Sequence, residues 1–397
     1  MKKIIIVSQA MEIGGAEKAL LGLLEKIDTE KYQVDLFLMR HSGELLKYIP
    51  NNVRLLPEIS EYAMLGIPIK DTLKRSVSVF FRRIYGRLKA TVYCRLHKIQ
   101  SPEGIEDLYS HKYTIGAMPQ ISKTEYDLAI SFLAPHYIVE KKVRAKKKIG
   151  WIHTDYETLE IDTRSEFHMW NRLDNIVSIS EKVTASFLKS FPSLEKKIVL
   201  IQNIIPVKYM ESLVEEVSVE QEMPDDGTVK LLSVGRFCTA KNFDNVPEIC
   251  KHLLDAGNKV KWYLIGYGAD EFLIRKKIIE FGMEDHVIIL GKKENPYPYF
   301  KKCDIYVQPS RFEGKCVSVI EAQMLHKPVV ITRYATSASQ LEENVDGVIV
   351  PLNNLDCATG IAGVMSESKK MMQLSTNCAM KDYSNSEEIN KLYSLIE

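Results

Sequence analysis

Short apolar runs rich in Ile and Val alternate along this chain with longer stretches whose apolar residues recur at helical spacing. Such runs are typical of strands covered on both faces, and their alternation with helices predicts parallel sheets. The predicted strands of the first half are residues 4–7, 34–38, 128–132, 149–153 and 176–179. Those of the second half are residues 230–234, 260–265, 287–290, 305–307 and 329–331. The pattern therefore predicts an α/β protein with two parallel sheets.

An acidic segment separates the two series of strands. Residues 207–227 hold seven carboxylates and end in Pro-Asp-Asp-Gly, which favours a turn over a metal site at Asp225 and Asp226. We predict a first domain at 1–206, a linker formed by this segment, and a second domain at 228–380. A C-terminal helix at 381–397 can pack back on the first domain. Both domains are expected to be Rossmann-like, with a cleft between them.

Composition excludes several classes of protein. The 397 residues are 45% hydrophobic and 26% charged, enough for two buried cores and unlike a disordered or disulfide-stapled chain. No apolar run approaches the roughly 20 residues of a membrane-spanning helix. Seven scattered cysteines without a Cys-x-x-Cys pair suggest neither a zinc site nor a disulfide framework. The first apolar run ends at Ser8, too early for a secretion signal, so we expect a cytoplasmic protein.

The two halves of the chain differ in charge. Residues 1–200 carry 31 Lys and Arg against 24 Asp and Glu, whereas the remainder carries 22 against 28. Residues 70–98 concentrate this excess, with nine Lys and Arg and one Asp. A second basic run lies at 141–148. The asymmetry predicts an anionic partner for the first domain, and we favour a membrane surface over nucleic acid.

Residues 70–98 also have an apolar side. Its members recur at helical spacing and are Val77, Phe80, Phe81, Ile84, Leu88 and Val92. A basic amphipathic helix with Phe on its apolar face can lie in an anionic membrane interface. The alternative is a helix packed on its domain with a solvated basic face.

Two glycine-containing loops follow predicted strands. Gly14 and Gly15 precede a helical pattern, and glycines there let the backbone approach a ligand while the helix N-terminus favours an anion. Gly266 and Gly268 follow the strand at 260–265. Neither loop has the third glycine of the dinucleotide fingerprint, so a simple turn is the alternative at both.

Two cations follow the first strand of the second domain. Gly235 and Arg236 come directly after residues 230–234, and Lys241 lies five residues beyond Arg236. Ligands of open α/β sheets bind at this edge. A guanidinium fork and a lysine suit a diphosphate and can offset charge on a leaving group. The alternative is a pair of solvated loop cations.

The segment after the strand at 305–307 carries two carboxylates eight residues apart. Glu313 is predicted in a loop, and Glu321 in the following helix. The residues between them that are predicted to cradle a phosphate with their amides are Gly314, Lys315, Cys316, Val317 and Ser318. Carboxylates on either side of a phosphate suit sugar hydroxyls, which is the layout of a nucleoside diphosphate sugar.

Taken in order, these motifs resemble retaining glycosyltransferases of family 4, whose GT-B fold has two facing Rossmann-like domains. The resemblance implies that the first domain, 1–206, binds the acceptor and the second, 228–380, the nucleotide sugar. The resemblance implies that Arg236 and Lys241 bind the donor diphosphate, Glu313 the donor hexose and Glu321 the ribose. It also implies that Gly14, Gly15, Gly235 and Gly266 line the site. Lys315 and Cys316 stand where many members have Phe-Gly, so donor choice could differ.

The resemblance also implies that His153, after the strand at 149–153, lies near the reacting sugar. From the residues alone, His153 would more often be structural, and Asp155 could equally be a site residue or a helix cap.

The expected function is transfer of a hexose from a nucleotide sugar, with a UDP-sugar as the expected donor, to a lipid-linked or saccharide acceptor in bacterial surface polysaccharide synthesis. The motifs are most similar to capsular, exopolysaccharide and lipopolysaccharide enzymes. The resemblance implies retention of configuration, with no metal and no cofactor apart from the donor substrate. Together with the basic segment 70–98, it leads us to expect peripheral attachment to the inner membrane face. An epimerase or hydrolase of similar fold, and a non-catalytic partner subunit, are the alternatives.

Overall fold

The first of two structural units is a parallel sheet covered by helices. It comprises Met1–Pro206 and the segment from Asn385 onward in the computed structural model, which describes residues 1–99, 103–313 and 316–396. The strands of this sheet, in chain order, are β1 (Lys2–Ser8), β2 (Tyr32–Leu38), β3 (Arg54–Leu55), β4 (Glu125–Ser131), β5 (Arg144–Ile152), β6 (Asn175–Ser178) and β7 (Ile198–Leu200). The helices are α1 (Gly15–Lys26), α2 (Ser60–Ala63), α3 (Ile69–Thr72), α4 (Val77–His97), α5 (Glu103–Thr114), α6 (Tyr137–Lys142), α7 (Thr163–Trp170) and α8 (Glu181–Ser190).

The strand order of the first sheet creates a ligand-binding edge. Within the described residues the order is β3-β2-β1-β4-β5-β6-β7, and every pairing is parallel. The direction of winding reverses between β1 and β4, and open α/β sheets bind ligands outside the carboxyl ends of the strands at such a point. Residues Ile4, Ile5 and Ile6 are completely buried, as expected for a strand covered on both faces.

The second unit, Val207–Ser384, repeats this architecture. Its strands are β8 (Val229–Val234), β9 (Val260–Ile265), β10 (Val287–Gly291), β11 (Ile305–Gln308), β12 (Val329–Thr332) and β13 (Val348–Val350). Its helices are α9 (Val207–Val214), α10 (Val246–Asp255), α11 (Glu271–Phe281), α12 (Tyr297–Lys302), α13 (Val317–Met324), α14 (Ser337–Gln340), α15 (Asn354–Ser366) and α16 (Ser368–Met380). The parallel order is β10-β9-β8-β11-β12-β13. The α/β fold class with two Rossmann-like parallel sheets is confirmed.

The acidic segment 207–227 is part of the second unit. It begins with α9, and its carboxylates pair with lysines of that unit: Lys302 lies 2.5 Å from Glu220 and 2.6 Å from Asp225. Asp226 accepts hydrogen bonds from the backbone and hydroxyl of Thr228, so it stabilises a bend. The segment does not form an extended connection, because its charges are matched by this unit.

The end of the chain returns to the first unit. Helix α17 (Ile389–Ser394) places the Tyr393 ring 4.9 Å from that of Tyr32, and the Tyr393 hydroxyl accepts from the Asp28 amide. Asn385 donates to the Asn203 carbonyl. The return begins at Asn385, because Lys381 is still held by Asp346 of the second unit at 2.6 Å.

Helix α4 packs through small residues and exposes an apolar stripe. Gly86 lies against α5 so closely that a Cβ would come within 2.8 Å of the Tyr109 carbonyl oxygen. Arg83 is buried and donates to the carbonyls of Met64 and Ile67, both at 2.6 Å. The side chains on the opposite face, here called the outer stripe, are Val77, Phe81, Tyr85, Leu88, Val92 and Leu96, each at least 49% exposed.

The outer stripe corrects two details of the amphipathic prediction. Phe80 and Ile84 are partly buried, so they do not belong to it. Arg83 faces the protein rather than solvent. Among the described helices, none is long and apolar enough to cross a bilayer.

Candidate functional site

The carboxyl-terminal edge of the second sheet holds a buried ion pair. Lys241 Nζ donates to Glu313 Oε1 at 2.6 Å, and the two side chains are only 17% and 12% exposed. Ser310 Oγ donates to the same oxygen at 2.7 Å. No described residue donates to Glu313 Oε2, so this oxygen is available to a ligand hydroxyl. The structure thus joins two predicted motifs into one site.

Two interlocked loops hold this pair together. Asn242 adopts a left-handed conformation and donates from its side chain to the Pro309 carbonyl at 2.8 Å. The Arg311 amide donates to the Ala240 carbonyl, and the Arg311 guanidinium binds both oxygens of Asp244 at 2.8 Å. Bidentate pairs of this kind fix orientation as well as distance. Lys241 and Glu313 are therefore positioned before any ligand binds.

The predicted glycines of this unit allow close approach within the protein. A Cβ on Gly235 would lie 3.1 Å from Lys241 Cε, so the lysine stem crosses directly over this residue. Gly266 has a φ of 153°, and a Cβ there would lie 1.8 Å from the Gly235 carbonyl oxygen. Only glycine fits at 266. Its presence is explained by the packing of two loops, without a ligand.

Lys241 stays charged in this environment. Burial alone would lower the pKa of Lys241, but Cys316 and Glu313 together raise it. Burial also raises the pKa of the Cys316 thiol, so that group is neutral at pH 7. Glu313 is therefore the counter-charge. Removing either partner of a buried pair leaves an uncompensated charge.

The start of α13 differs from the predicted phosphate cradle. Gly314 and Lys315 lie outside the described residues. The Cys316 amide donates to Gln340 Oε1 at 2.7 Å, so it already has an acceptor in this structure, and its role in binding phosphate stays a prediction. The amides of Val317 and Ser318 begin the helix and have no carbonyl partner within it. These two remain as candidate phosphate donors.

Glu321 and Arg236 lie apart from the ion pair. Glu321 is on α13 and accepts a hydrogen bond from the Tyr297 hydroxyl at 2.9 Å, which orients its carboxylate. Arg236 follows β8, is exposed, and forms no ion pair with a described residue. Its guanidinium can therefore turn towards an anionic ligand. The roles of both residues in donor binding stay predictions.

Sequence reasoning missed several residues of this site. Ser310 and Arg311 are adjacent to Glu313 and could have been suspected from that position. Tyr297 and Gln340 carry no local signal, because each reaches the site from an element distant in sequence.

In the first unit, the predicted glycines lie where β1 meets α1. Gly15 is the first residue of α1, and Gly14 before it is extended, with a φ of −147°. A Cβ on Gly15 would meet nothing within 4 Å. The fold does not require glycine at 15, which leaves close approach of a ligand as a reason for it.

His153 follows β5 and has unsatisfied hydrogen-bonding capacity. Both ring nitrogens are shielded from solvent and form no hydrogen bond of ordinary geometry with a described residue, while the ring packs 4.6 Å from that of Phe132. Burial lowers the pKa of His153 to about 4, so the ring is neutral at pH 7. Buried polar atoms without partners are unusual and call for an explanation. Asp155 caps the short helix Tyr156–Thr158 by accepting from the Glu157 amide, as one of its two alternatives predicted, while a role in the site stays a prediction.

Comparisons with known proteins locate the strongest likeness in the second unit. Residues 214–380 match the family model of glycosyl transferases group 1. AmsK of Erwinia amylovora, an amylovoran biosynthesis glycosyltransferase, is 28% identical over 149 residues, which are 36% of this chain and 37% of that relative. The Escherichia coli UDP-Gal:α-D-GlcNAc-diphosphoundecaprenol α-1,3-galactosyltransferase is 19% identical over 93% of this chain and 89% of its own length. Matches to three of the relatives cover between 37% and 56% of those proteins.

Solved structures show the same fold. Anabaena HepE in complex with UDP aligns with 99% of this chain and 100% of its own, at a TM-score of 0.57 and 16% identity. The likeness establishes two Rossmann-like domains of the GT-B type.

Proposed function

We propose that this chain transfers a hexose from a UDP-sugar to a lipid-linked or saccharide acceptor in bacterial surface polysaccharide synthesis. The observation that carries this proposal is the Lys241–Glu313 pair, preorganised at the carboxyl edge of a Rossmann-like sheet. It lies within the segment that matches group 1 glycosyl transferases. The UDP bound by HepE and the diphosphoundecaprenol acceptor named for the E. coli relative support the choice of donor and acceptor.

In the proposed mechanism, Lys241 and Arg236 hold the diphosphate and offset the charge that develops on the leaving group. The amides of Val317 and Ser318 contribute at the start of α13. Glu313 Oε2 accepts a hydroxyl of the hexose, and Glu321 a hydroxyl of the ribose.

The proposed reaction retains the configuration of the donor. The acceptor attacks from the face that the phosphate leaves, so the departing phosphate takes the acceptor's proton and no side-chain base is needed. His153, neutral at pH 7, hydrogen-bonds near the reacting sugar. The proposed reaction requires no metal ion.

The experiment is a panel of nucleotide sugars incubated with the pure protein, with and without a lipid-linked acceptor. We expect nucleotide release that depends on the acceptor, an α-linked product by NMR from an α-configured donor, and activity that survives EDTA. Release without acceptor, or a changed sugar, would identify a hydrolase or an epimerase. No turnover with any donor would indicate a non-catalytic subunit.

We further propose that the outer stripe of α4 attaches the protein to the anionic inner face of the membrane. The stripe is flanked by exposed cations, among them Lys74, Arg82 and Lys89. A surface of this kind gains apolar burial together with about 1 kcal/mol per basic residue near anionic lipid.

Sedimentation with liposomes tests the attachment. We expect binding to anionic vesicles at low salt and release as ionic strength rises. Phe81→Ser combined with Leu88→Ser should abolish sedimentation, while UDP binding persists. Arg83 is unsuitable for this test because it is buried. If the unaltered protein ignores anionic vesicles at low salt, the attachment is excluded.

A further inference from the structure

A cavity of about 270 Å³ lies wholly within the first unit. It opens at the carboxyl ends of β4 and β5, between these strands and the helices α5 and α7. This edge adjoins the winding reversal between β1 and β4, where ligands of open α/β sheets bind. The volume is near the lower limit of small-molecule sites, roughly 300 Å³, so it suits one ring rather than a chain.

The carboxyl group of Glu166 forms part of one wall of the cavity, and only one of its two oxygens accepts hydrogen bonds from described residues. Glu166 is 8% exposed, and its Oε2 accepts from the Tyr156 hydroxyl at 3.0 Å and from Trp170 Nε1 at 3.4 Å. No described residue donates to Oε1. A carboxyl oxygen of a residue that lines a cavity, with no donor among the described residues, is a natural acceptor for a ligand hydroxyl.

Three imidazoles line the same space. His153 has two unpartnered ring nitrogens, and His136 uses Nδ1 in a 2.8 Å hydrogen bond with Ser131. Burial lowers the pKa of His153 and His111 to about 4 and that of His136 to about 3. All three are neutral at pH 7, and each neutral ring can donate at one nitrogen and accept at the other.

The charges around the cavity exclude an anionic ligand. Among the described residues that line it, none is Lys or Arg, whereas Asp107 and Glu166 are acidic. The remaining walls include aromatic rings, such as those of Trp151, Trp170 and Tyr137. Uncharged polar groups beside aromatic faces match a ligand that is neutral, hydroxyl-rich and partly apolar.

We propose that this cavity binds one neutral pyranose ring of the acceptor, with Glu166 and His153 hydrogen-bonding to its hydroxyls. The proposal rests on the proposed transferase function, for which it names the acceptor sugar's subsite. Any diphosphate of a lipid-linked acceptor stays outside, because the cavity offers it no cation. Glu166 lies on α7, which no predicted motif included.

Tryptophan fluorescence measures binding directly, because Trp151 and Trp170 line the cavity and the chain has only one other tryptophan, Trp262 in the second unit. The probes are methyl glycosides of glucose, galactose, N-acetylglucosamine and N-acetylgalactosamine, with pyrophosphate as the anionic control. We expect a saturable change with at least one glycoside and no change at the cavity tryptophans with pyrophosphate.

Variants locate the binding. Glu166→Met should weaken the glycoside about tenfold or more, since a hydrogen bond to a charged or buried group is lost. His153→Phe is the second variant, in case the first misfolds. The matched control is Arg164→Gln on the same helix, whose exposed side chain does not line the cavity. Equal affinity in the Glu166 and Arg164 variants, or no response to any glycoside, would overturn the proposal.

Kinetics separate this proposal from the transferase function. If acceptor-dependent nucleotide release occurs but its KM for acceptor is the same in Glu166→Met and the unaltered protein, the cavity assignment fails and the function stands. If a glycoside binds in the cavity and no nucleotide sugar turns over, the function fails while the neutral-sugar site stands.

Discussion

The two units use the same sheet edge to build opposite environments. In the second unit, a largely buried lysine and glutamate face each other at 2.6 Å, and the exposed Arg236 follows the first strand of the same sheet, so this edge is charged and suited to a diphosphate. In the first unit, three neutral imidazoles and two acidic side chains line a cavity that has no Lys or Arg among its described residues. The same fold therefore provides one site that compensates charge and another that accepts a neutral ligand. Each of the following changes tests one side of this difference.

The largest effect is expected at Lys241. Lys241→Ala removes the cation that offsets the leaving group and leaves Glu313 buried without a partner. We expect kcat/KM to fall by at least about 10²-fold. Lys276→Ala, at an exposed position of the same unit, is the control and should be silent. Unchanged kinetics in a folded Lys241→Ala protein would remove this residue from the site.

Because of Glu166, the free energy of unfolding should fall as pH rises from 4.5 to about 7. Burial raises the pKa of Glu166 to about 7 from an ordinary 4.5, so the native state binds more protons between these values. The free energy of unfolding therefore falls as pH rises through this window. Glu166→Gln removes the effect and should gain up to about 3 kcal/mol relative to the unaltered protein between pH 5 and pH 8. Denaturant unfolding at both pH values measures it; an equal difference at each would show that Glu166 titrates normally.

His153 should act in the opposite direction. Its pKa is lowered to about 4 by burial, so the unfolded state binds more protons as pH falls below 6.5 and stability is lost. His153→Gln should reduce the loss between pH 7 and pH 5 by about 2 kcal/mol. The comparison is best made in the Glu166→Gln background. As pH falls over the same interval, protonation of Glu166 stabilises the protein and masks part of the loss caused by His153. An identical acid loss with and without His153 would contradict its neutral state.

The smallest effect is expected on the outer stripe. Leu88 is 61% exposed, so Leu88→Ser should change the free energy of unfolding by less than about 0.5 kcal/mol. Gly86→Ala on the same helix should cost about 1–3 kcal/mol, because its Cβ would crowd the Tyr109 carbonyl. Thermal unfolding separates the two. A large loss in Leu88→Ser would show that the stripe is covered by protein.

How much the sequence revealed depended on whether the signal was local. The central strands were all predicted, because each is a continuous apolar run. The strands β3, β7 and β13 were not predicted, because each lies at a sheet edge and has only two or three residues. Lys241 and Glu313 were singled out from their positions after strands, but their mutual contact depends on Asn242 and Arg311, whose role is visible only in three dimensions. The cavity around Glu166 was not predicted, because its walls come from separate elements that share no motif.

The same distinction explains the errors. The acceptor of the Cys316 amide could not be foreseen from its place before a helix, because Gln340 reaches it from a different helix. From helical spacing alone, Phe80 was placed on the exposed apolar stripe and the cations beside it, Arg83 among them, on an exposed basic face. Spacing fixes which residues share a face, but the packing of α5 against Gly86 decides which face is covered.

Calorimetric titration of UDP into the full chain tests the central claim most directly. The division of roles predicts one binding site in the unaltered protein, at least about tenfold weaker binding in Lys241→Ala, and unchanged binding in Glu166→Gln. Binding that is unaffected by Lys241→Ala but lost in Glu166→Gln would place the nucleotide in the first unit and contradict the claim.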